Sequence, residues 1–446
     1  MLRLLSPALL IGFGLLPLSR ADAPPPKPPA PPRIESLIGQ LADQDFRRRA
    51  AATRALAALG TEALPALQQA RSHPDPEVRR RLDELIPPME RMLALAPKQI
   101  TLHMTNRPIR EIFGELSKQT GYKFAGLENQ PGEQNKQVYT FDFDGVPFWQ
   151  AMDQVCEAGG FVLQQNYQSD DSLRLFYQPD SYVPFVSYDG AFKVIPTGFN
   201  YSRSNHFAQI MRNRPDQQRF ESLHVNLTLA VEPKLPILRV GSVRLSMAED
   251  EERHSMLPAG TETANGMWAG RHSYYGGGYR SYVQQTQALL ILPSRTSRTV
   301  RILKGVIPVT LLADQKPAVI TDRILAAKGK KFTSGAATFI IEDVSELAGK
   351  QHQIKISVTE DSKDSPNDWT RIQSLQQRIE LQDEKGNKEQ FYFNSIGSNG
   401  INSAQYTLTV GPNDNAKIGP PARLVYYSWI LMEHEVPFEL KDLPLP

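Results

Sequence analysis

Cysteine is nearly absent: Cys156 is the only one in 446 residues. An intramolecular disulfide is therefore excluded, and so is any zinc site built on paired thiolates. A surplus of charge of one sign is also missing, with 50 Lys and Arg against 48 Asp and Glu and a net charge of +2. That balance gives no electrostatic reason to expect nucleic acid or an acidic lipid surface as partner. Catalytic signatures are lacking as well. There is no G-x-S-x-G elbow, no phosphate-cradling G-x-x-x-x-G-K-[ST], no G-x-G-x-x-G and no H-E-x-x-H. No cofactor is implied.

One long apolar run is present, at the start. Met1-Leu2-Arg3 precedes the apolar stretch Leu4 to Leu18, and Ala21-Asp22-Ala23 forms an A-x-A cleavage site. The pattern is that of a secretory signal peptide over residues 1–23. A membrane anchor is the alternative, but the run is shorter than the roughly 20 residues a span needs, and Pro17 and Arg20 interrupt it. The expected location is periplasmic or cell-surface. Residues 24–32 are mostly proline and predict an extended spacer.

A chain of this length predicts about three domains at roughly 150 residues each. From Arg33 to residue 97 the periodicity is helical, with Leu37 and Leu41 on one face and Val78, Leu82, Leu85, Met89 and Met92 on another. Thr61 reads as an N-cap, and Pro87-Pro88 predicts a break or kink. Asp43-x-Asp45-Phe46-x-x-Arg49 aligns with Asp75-x-Glu77-Val78-x-x-Arg81 at an offset of 32. This segment resembles HEAT-type repeats, notably in Gly60-Thr61-Glu62-Ala63-Leu64-Pro65-Ala66-Leu67 and Pro74-Asp75-Pro76-Glu77-Val78-Arg79. Arginine triplets at 47–49 and 79–81 invite a nucleic-acid reading. Ten arginines against nine acidic residues between Arg33 and Met92 favour, in each triplet, an inter-repeat Asp–Arg pair and a solvated face.

A second duplication lies between residues 98 and 180. Ile100–Met104 aligns with Tyr139–Phe143 at an offset of 39, and the same offset superposes Pro108 on Pro147 and Gly121 on Gly160. Each copy predicts a strand, a proline at a helix start, an amphipathic helix, a glycine stop and a second strand. Leu173–Tyr177 adds a last strand. Two such units resemble the secretin and TonB short N-terminal domain of bacterial envelope proteins. The resemblance implies a module that docks other envelope proteins, with no catalytic residue. The family carries it ahead of a membrane barrel, and no barrel-sized run follows here.

Beyond Tyr182, short alternating runs separated by turn residues predict antiparallel β-sandwiches, at 183–314 and 315–446, with one large sandwich as the alternative. One helix is expected, from Asp368 to about Gln376. The fold class expected is thus multi-domain α+β: a short helical segment, a duplicated β-α-β module and mainly antiparallel sandwiches.

Residues 248–282 interrupt the strand pattern and predict a mobile insertion. Its Trp268, Arg271, Tyr274, Tyr275, Tyr279 and Arg280 form the candidate partner-binding set, because aromatics and arginine on a glycine-rich loop suit adaptable contact. An insertion with no partner is the alternative. Glu433-His434-Glu435 could ligate a metal, but strand alternation sends the histidine to the opposite face. Asp142 and Asp144 could form a catalytic pair, yet sit as the wet face of a half-buried strand. Cys156 lies among apolar residues and reads as packing.

The function expected is that of a secreted envelope scaffold contacting an envelope or extracellular protein, without catalysis. Two alternatives stand beside it. One is a carbohydrate-active or other hydrolytic enzyme whose carboxylates meet only in the fold. The other is a membrane-associated secretion component.

Overall fold

The computed structural model describes residues 34–129, 136–164, 171–179, 182–205, 219–258, 280–292, 296–349, 351–360, 369–400, 403–411 and 418–446. The expected signal peptide and extended spacer, residues 1–32, lie outside the described residues. The architecture is mixed α+β with mainly antiparallel sheets, and the chain divides into two compact units at Met92.

The first unit is helical: α1 (Ile34–Gln40), α2 (Phe46–Leu59), α3 (Leu64–Gln69) and most of α4 (Pro76–Leu95). Leu41, Leu56, Leu67, Val78, Leu82 and Ile86 form its sealed core. Two capping motifs of matching geometry lie 30 residues apart. Asp45 accepts from the Arg47 amide as Asp75 accepts from the Glu77 amide, both at 2.8 Å. One turn on, Arg49 Nη1 donates back to the carbonyls of Asp43 and Gln44, as Arg79 Nη1 does to those of His73 and Pro74. The capping aspartates thus match at an offset of 30, and the arginine triplets at 32. Between the two motifs Arg49 lies 3.6 Å from Glu77, a glutamate in place of the expected aspartate. Thr61 caps nothing; it lies in a short 3-10 turn before α3.

The double proline leaves α4 unbroken. Pro87 and Pro88 are exposed, and so are Asp83 and Glu84, whose carbonyls the prolines leave without donors. Water can satisfy those carbonyls, while buried Val78, Leu82, Leu85, Ile86 and Met89 hold the helix down. Met92, expected on that stripe, is exposed instead.

The second unit opens with the β-α-β module, and the offset of 39 holds throughout. β1 (Gln99–Pro108) leads into α5 (Ile109–Thr120) and β2 (Lys123–Ala125); β3 (Val138–Pro147) leads into α6 (Phe148–Gly159) and β4 (Phe161–Gln164). Proline precedes each helix, and Gly121 (φ 76°) and Gly160 (φ 69°) end them in the left-handed conformation. β1 pairs antiparallel with β3. β5 (Ser172–Tyr177) runs between β2 and β4, parallel to the first and antiparallel to the second.

Next come β6 (Ser187–Asp189), β7 (Phe192–Asn205), β8 (Arg219–Val231), β9 (Ile237–Val240), β10 (Arg244–Asp250), β11 (Val283–Leu290) and β12 (Thr299–Thr321). They are followed by β13 (Lys331–Ser334), β14 (Ala337–Leu347), β15 (Gln351–Glu360), α7 (Trp369–Arg378), β16 (Ile379–Gln382), β17 (Phe391–Gly400), β18 (Ser403–Val410) and β19 (Arg423–Pro444). Three sheets result, ordered β11-β8-β7-β6, β10-β12-β19-β16 and β13-β14-β15-β18-β17.

Asp314, where the sequence suggested a division, lies inside β12. Strands β12 and β19 pair along nearly their whole length, with a register shift between Leu312 and Asp314. Before that shift, Val300, Leu303, Ile307 and Leu311 feed one core together with Val436, Phe438 and Leu440. Beyond it, Ile320, Leu424 and Tyr426 feed the other. The two sandwiches thus share one ribbon, and the bulge re-aims its side chains from core to core. The first core also takes in the module, since Ile100, Phe113, Phe148 and Trp149 cluster with Phe192, Val225 and Leu229. The expected insertion is shorter at its start: residues 248–250 belong to β10, and Met256 is buried.

Candidate docking surface

Of the six residues proposed from the sequence, Trp268, Arg271, Tyr274, Tyr275 and Tyr279 lie outside the described residues. Arg280 is described, and it stands where several elements converge. Its amide donates to Gln377 Oε1 at 2.8 Å, and its guanidinium donates to the Gln315 side chain. Asp171, just ahead of β5, lies 3.9 Å from Nη1 and accepts the Tyr282 hydroxyl at 3.1 Å. The Arg280 guanidinium also sits 5.5 Å from the centre of the Trp429 ring. Module, first sandwich, α7 and the shared ribbon all contribute to this cluster.

A second arginine approaches the same indole. Arg378, at the end of α7, lies 5.5 Å from the Trp429 ring and 4.8 Å from the Tyr426 ring. It is buried and its charge is spent: Nη1 and Nη2 hold Glu360 at 2.8 and 3.0 Å, and Nε donates to the Tyr427 carbonyl. Bidentate pairing of that kind suits the planar guanidinium. Beside it, the Tyr427 hydroxyl donates to Glu380 at 3.2 Å, and Lys388 pairs with Glu380 at 2.6 Å. Burial, and then the Glu380 charge, push the Tyr427 hydroxyl above its ordinary pKa. Among the described residues, the carboxylate paired with Arg280 is exposed Asp171 at the longer 3.9 Å, so of the two arginines it has the less compensated charge there.

Two polar networks seat the module against the first sandwich, and sequence reasoning missed both. Glu232, with no exposed surface, accepts the Tyr122 hydroxyl at 2.7 Å and the Lys98 amide at 3.0 Å. Lys234 lies 3.8 Å away. Burial raises the Glu232 pKa against the opposing pull of these partners. At the second seat, Asp153 on α6 pairs with buried Lys193 and accepts the Tyr188 hydroxyl, while Trp149 Nε1 donates to the Ala191 carbonyl at 2.9 Å. The one available signal was a lone acid and a lone lysine at otherwise apolar strand ends.

The remaining candidates fall as follows. Glu433 lies near Arg239 and accepts from Thr310, and Glu435 pairs with Arg244. His434 stacks on Phe192 at 5.3 Å. The two glutamates are thus engaged by arginines, and the histidine is turned to another partner. Asp142 and Asp144 are exposed on β3, and Asp142 pairs across the ribbon with His103. Cys156 is buried, and desolvation pushes its thiol up to about 12. Among the described residues no group of three or more His, Cys, Asp or Glu is placed to hold a metal. No described helix is long and apolar enough to cross a membrane.

No family model matches this chain, and no curated protein matches it. Among solved structures it is similar to one described as the crystal structure of the conserved domain protein from Bacillus anthracis. Identity is 10%, covering 56% of this chain and 89% of that one, with a TM-score of 0.15. A similarity so low carries no argument about fold or function.

Proposed function

We propose that this protein is a secreted envelope scaffold that works by protein–protein contact and performs no catalysis. One observation carries the reading: three of the most deeply buried ionisable groups are engaged within the protein. Glu360 is held by Arg378, Lys193 by Asp153, and Glu232 by Tyr122 and Lys98. A catalytic acid or base needs a free proton-transfer face within reach of substrate, and these groups are engaged inside the protein. Helix α6 contacts the first sandwich through Trp149 and Asp153, and the module's proposed contribution to partners is the β1–β3 ribbon. There His103, Arg107 and Asp142 are exposed. The Arg280 rim is the second contact surface, with a cation over an aromatic ring, a combination enriched at protein interfaces.

The secretin and TonB resemblance supports an envelope partner, and the N-terminal apolar run supports export. The test is affinity capture from a periplasmic fraction with the exported chain as bait, beside Arg280→Glu and Arg107→Glu. A partner lost with either variant supports the reading. Failure to retain any partner reproducibly, or export failing when residues 1–23 are present, counts against it.

A further inference from the structure

We propose that the β12–β19 ribbon is a hinge between the two sandwiches and that Arg280 is the latch that holds it closed. This goes beyond the scaffold reading and does not depend on it, since the motion lies within one chain. The chain enters the second sandwich once, along β12, and leaves it once, along β19. The two hydrophobic cores have no residue in common. Where the ribbon passes between them, no residue from Ala313 to Val319 and none from Tyr427 to Glu435 is buried. The strands also lose their neighbours there. β9 pairs with β12 as far as Leu311, and β16 pairs with β19 as far as Tyr426. Asp314 to Pro317 and, opposite them, Tyr427 to Ile430 therefore pair with each other and, among the described residues, with no third strand.

A ribbon of two strands is marginal in water without further strands or a packed face. This one also carries the register shift between Leu312 and Asp314, and an extra residue interrupts the ladder and bends the strand locally. Hinges are a few residues of this kind, which absorb the backbone change while the bodies on either side stay rigid. Bending at this stretch disturbs neither apolar core.

A polar cluster crosses the hinge, centred on Arg280. Ser281 exchanges backbone bonds with Ile237, and Tyr282 is buried in the first core, so Arg280 is fixed to the first sandwich. Its amide donates to Gln377 on α7, between Leu375 and Ile379 of the second core. Its guanidinium lies on the ribbon itself, bonded to Gln315 and set over the Trp429 ring. Asp171 of the module, 3.9 Å from that guanidinium, also acts on Lys388 in the turn after β16. Hydrogen bonds of this kind exchange for bonds to water at little net cost, and a partly exposed ion pair weakens with salt. Polar contacts between domains leave relative motion as the default, so this latch opens without unfolding either body.

The test is the distance between two spin labels, one on each sandwich, measured on the full chain. Cys156 is the only native thiol and is buried, so the labels go to the exposed positions of Gln287→Cys on β11 and Tyr392→Cys on β17. With the latch intact, one narrow distance distribution is expected. Arg280→Ala combined with Gln377→Ala is expected to broaden it by roughly twofold or more, with an unchanged circular dichroism spectrum. Should that double variant unfold, Gln377→Ala alone, which leaves every charge in place, is read in the same way. If the distribution is already as broad with the latch intact, Arg280 holds nothing closed. If a folded latch variant stays as narrow as the chain with native Arg280 and Gln377, the ribbon does not bend. Either result overturns the proposal, whether or not a partner is ever captured.

Discussion

The Tyr122 hydroxyl reaches Glu232, 110 residues further along the chain, and donates to its carboxylate at 2.7 Å. Tyr122 follows the glycine that ends α5, and Glu232 follows the last residue of β8. The bond therefore ties a helix end of the module to a strand end of the sandwich. Replacing Glu232 by Ala leaves the Tyr122 hydroxyl and the Lys98 amide without their acceptor. An orphaned buried donor costs about 1–3 kcal/mol, so Glu232→Ala is expected to lower stability by about 2–4 kcal/mol, and Tyr122→Phe by less. Urea denaturation of the two variants checks the order.

The same carboxylate sets a pH dependence. Burial holds the Glu232 pKa above its value in the unfolded chain. Between the unfolded and the folded pKa the native state then binds more protons, and stability falls as pH rises. The unfavourable contribution is absent well below the ordinary glutamate pKa and complete above the raised folded value. Glu232→Gln removes it. The stability of the native chain relative to Glu232→Gln is expected to decline as pH climbs through this window, and denaturation of both across pH 4 to 8 measures it. A flat difference would show that Glu232 does not titrate in this way.

The duplication at an offset of 39 was legible because its marks are local: proline before each helix and glycine in the left-handed conformation after it. The alternation that set Asp142 opposite Phe143 was legible for the same reason. What escaped depends on distance or on weak propensity. β12 finds its partner β19 more than a hundred residues away, so the strand reads as a place to divide the chain. β17 is rich in Asn, Ser and Gly, residues depleted in strands, and it is held by its neighbour β18 and by Phe391 and Phe393 against the core. At the candidate docking surface, Arg280 was visible as an arginine beside aromatics. Its actual ring, Trp429, and its neighbour Arg378 came from elements far along the chain.

Cys156 is the only thiol in the sequence, which makes its reactivity simple to read. Desolvation, and then the Asp153 charge, hold it as the neutral thiol, pushed up to about 12. Because the thiolate is the nucleophile, alkylation of the folded chain at pH 8 is expected to be at least a hundredfold slower than in urea. A thiol that reacts at the unfolded rate in the native protein would contradict its place in the core.

Gly126 follows β2 with φ of 90°, and a Cβ there would lie 1.8 Å from the Leu175 carbonyl oxygen. That approach lets the chain turn tightly where parallel β2 and β5 lie side by side. Both the positive φ and the clash oppose a side chain. Gly126→Ala is expected to cost more than about 2 kcal/mol, whereas Gly114→Ala, with open space around it on α5, should be neutral or stabilising. Paired thermal melts distinguish the two.

The Arg378–Glu360 pair gives the sharpest energetic test, because both residues are buried and bonded twice to each other. Removing one partner of such a pair leaves an uncompensated charge and costs about 3–5 kcal/mol. Arg378→Met and Glu360→Leu should each reach that range. The double variant restores neutrality in the same volume, so its loss is expected to be far smaller than the two single losses combined. The Tyr426 hydroxyl and the Tyr427 carbonyl lose their guanidinium partner in the double variant, and this keeps it from recovering fully. Chemical denaturation of the four-member cycle measures the coupling. If the single losses simply add, the pair is solvated, and the rim around Trp429 must be more open than its burial indicates.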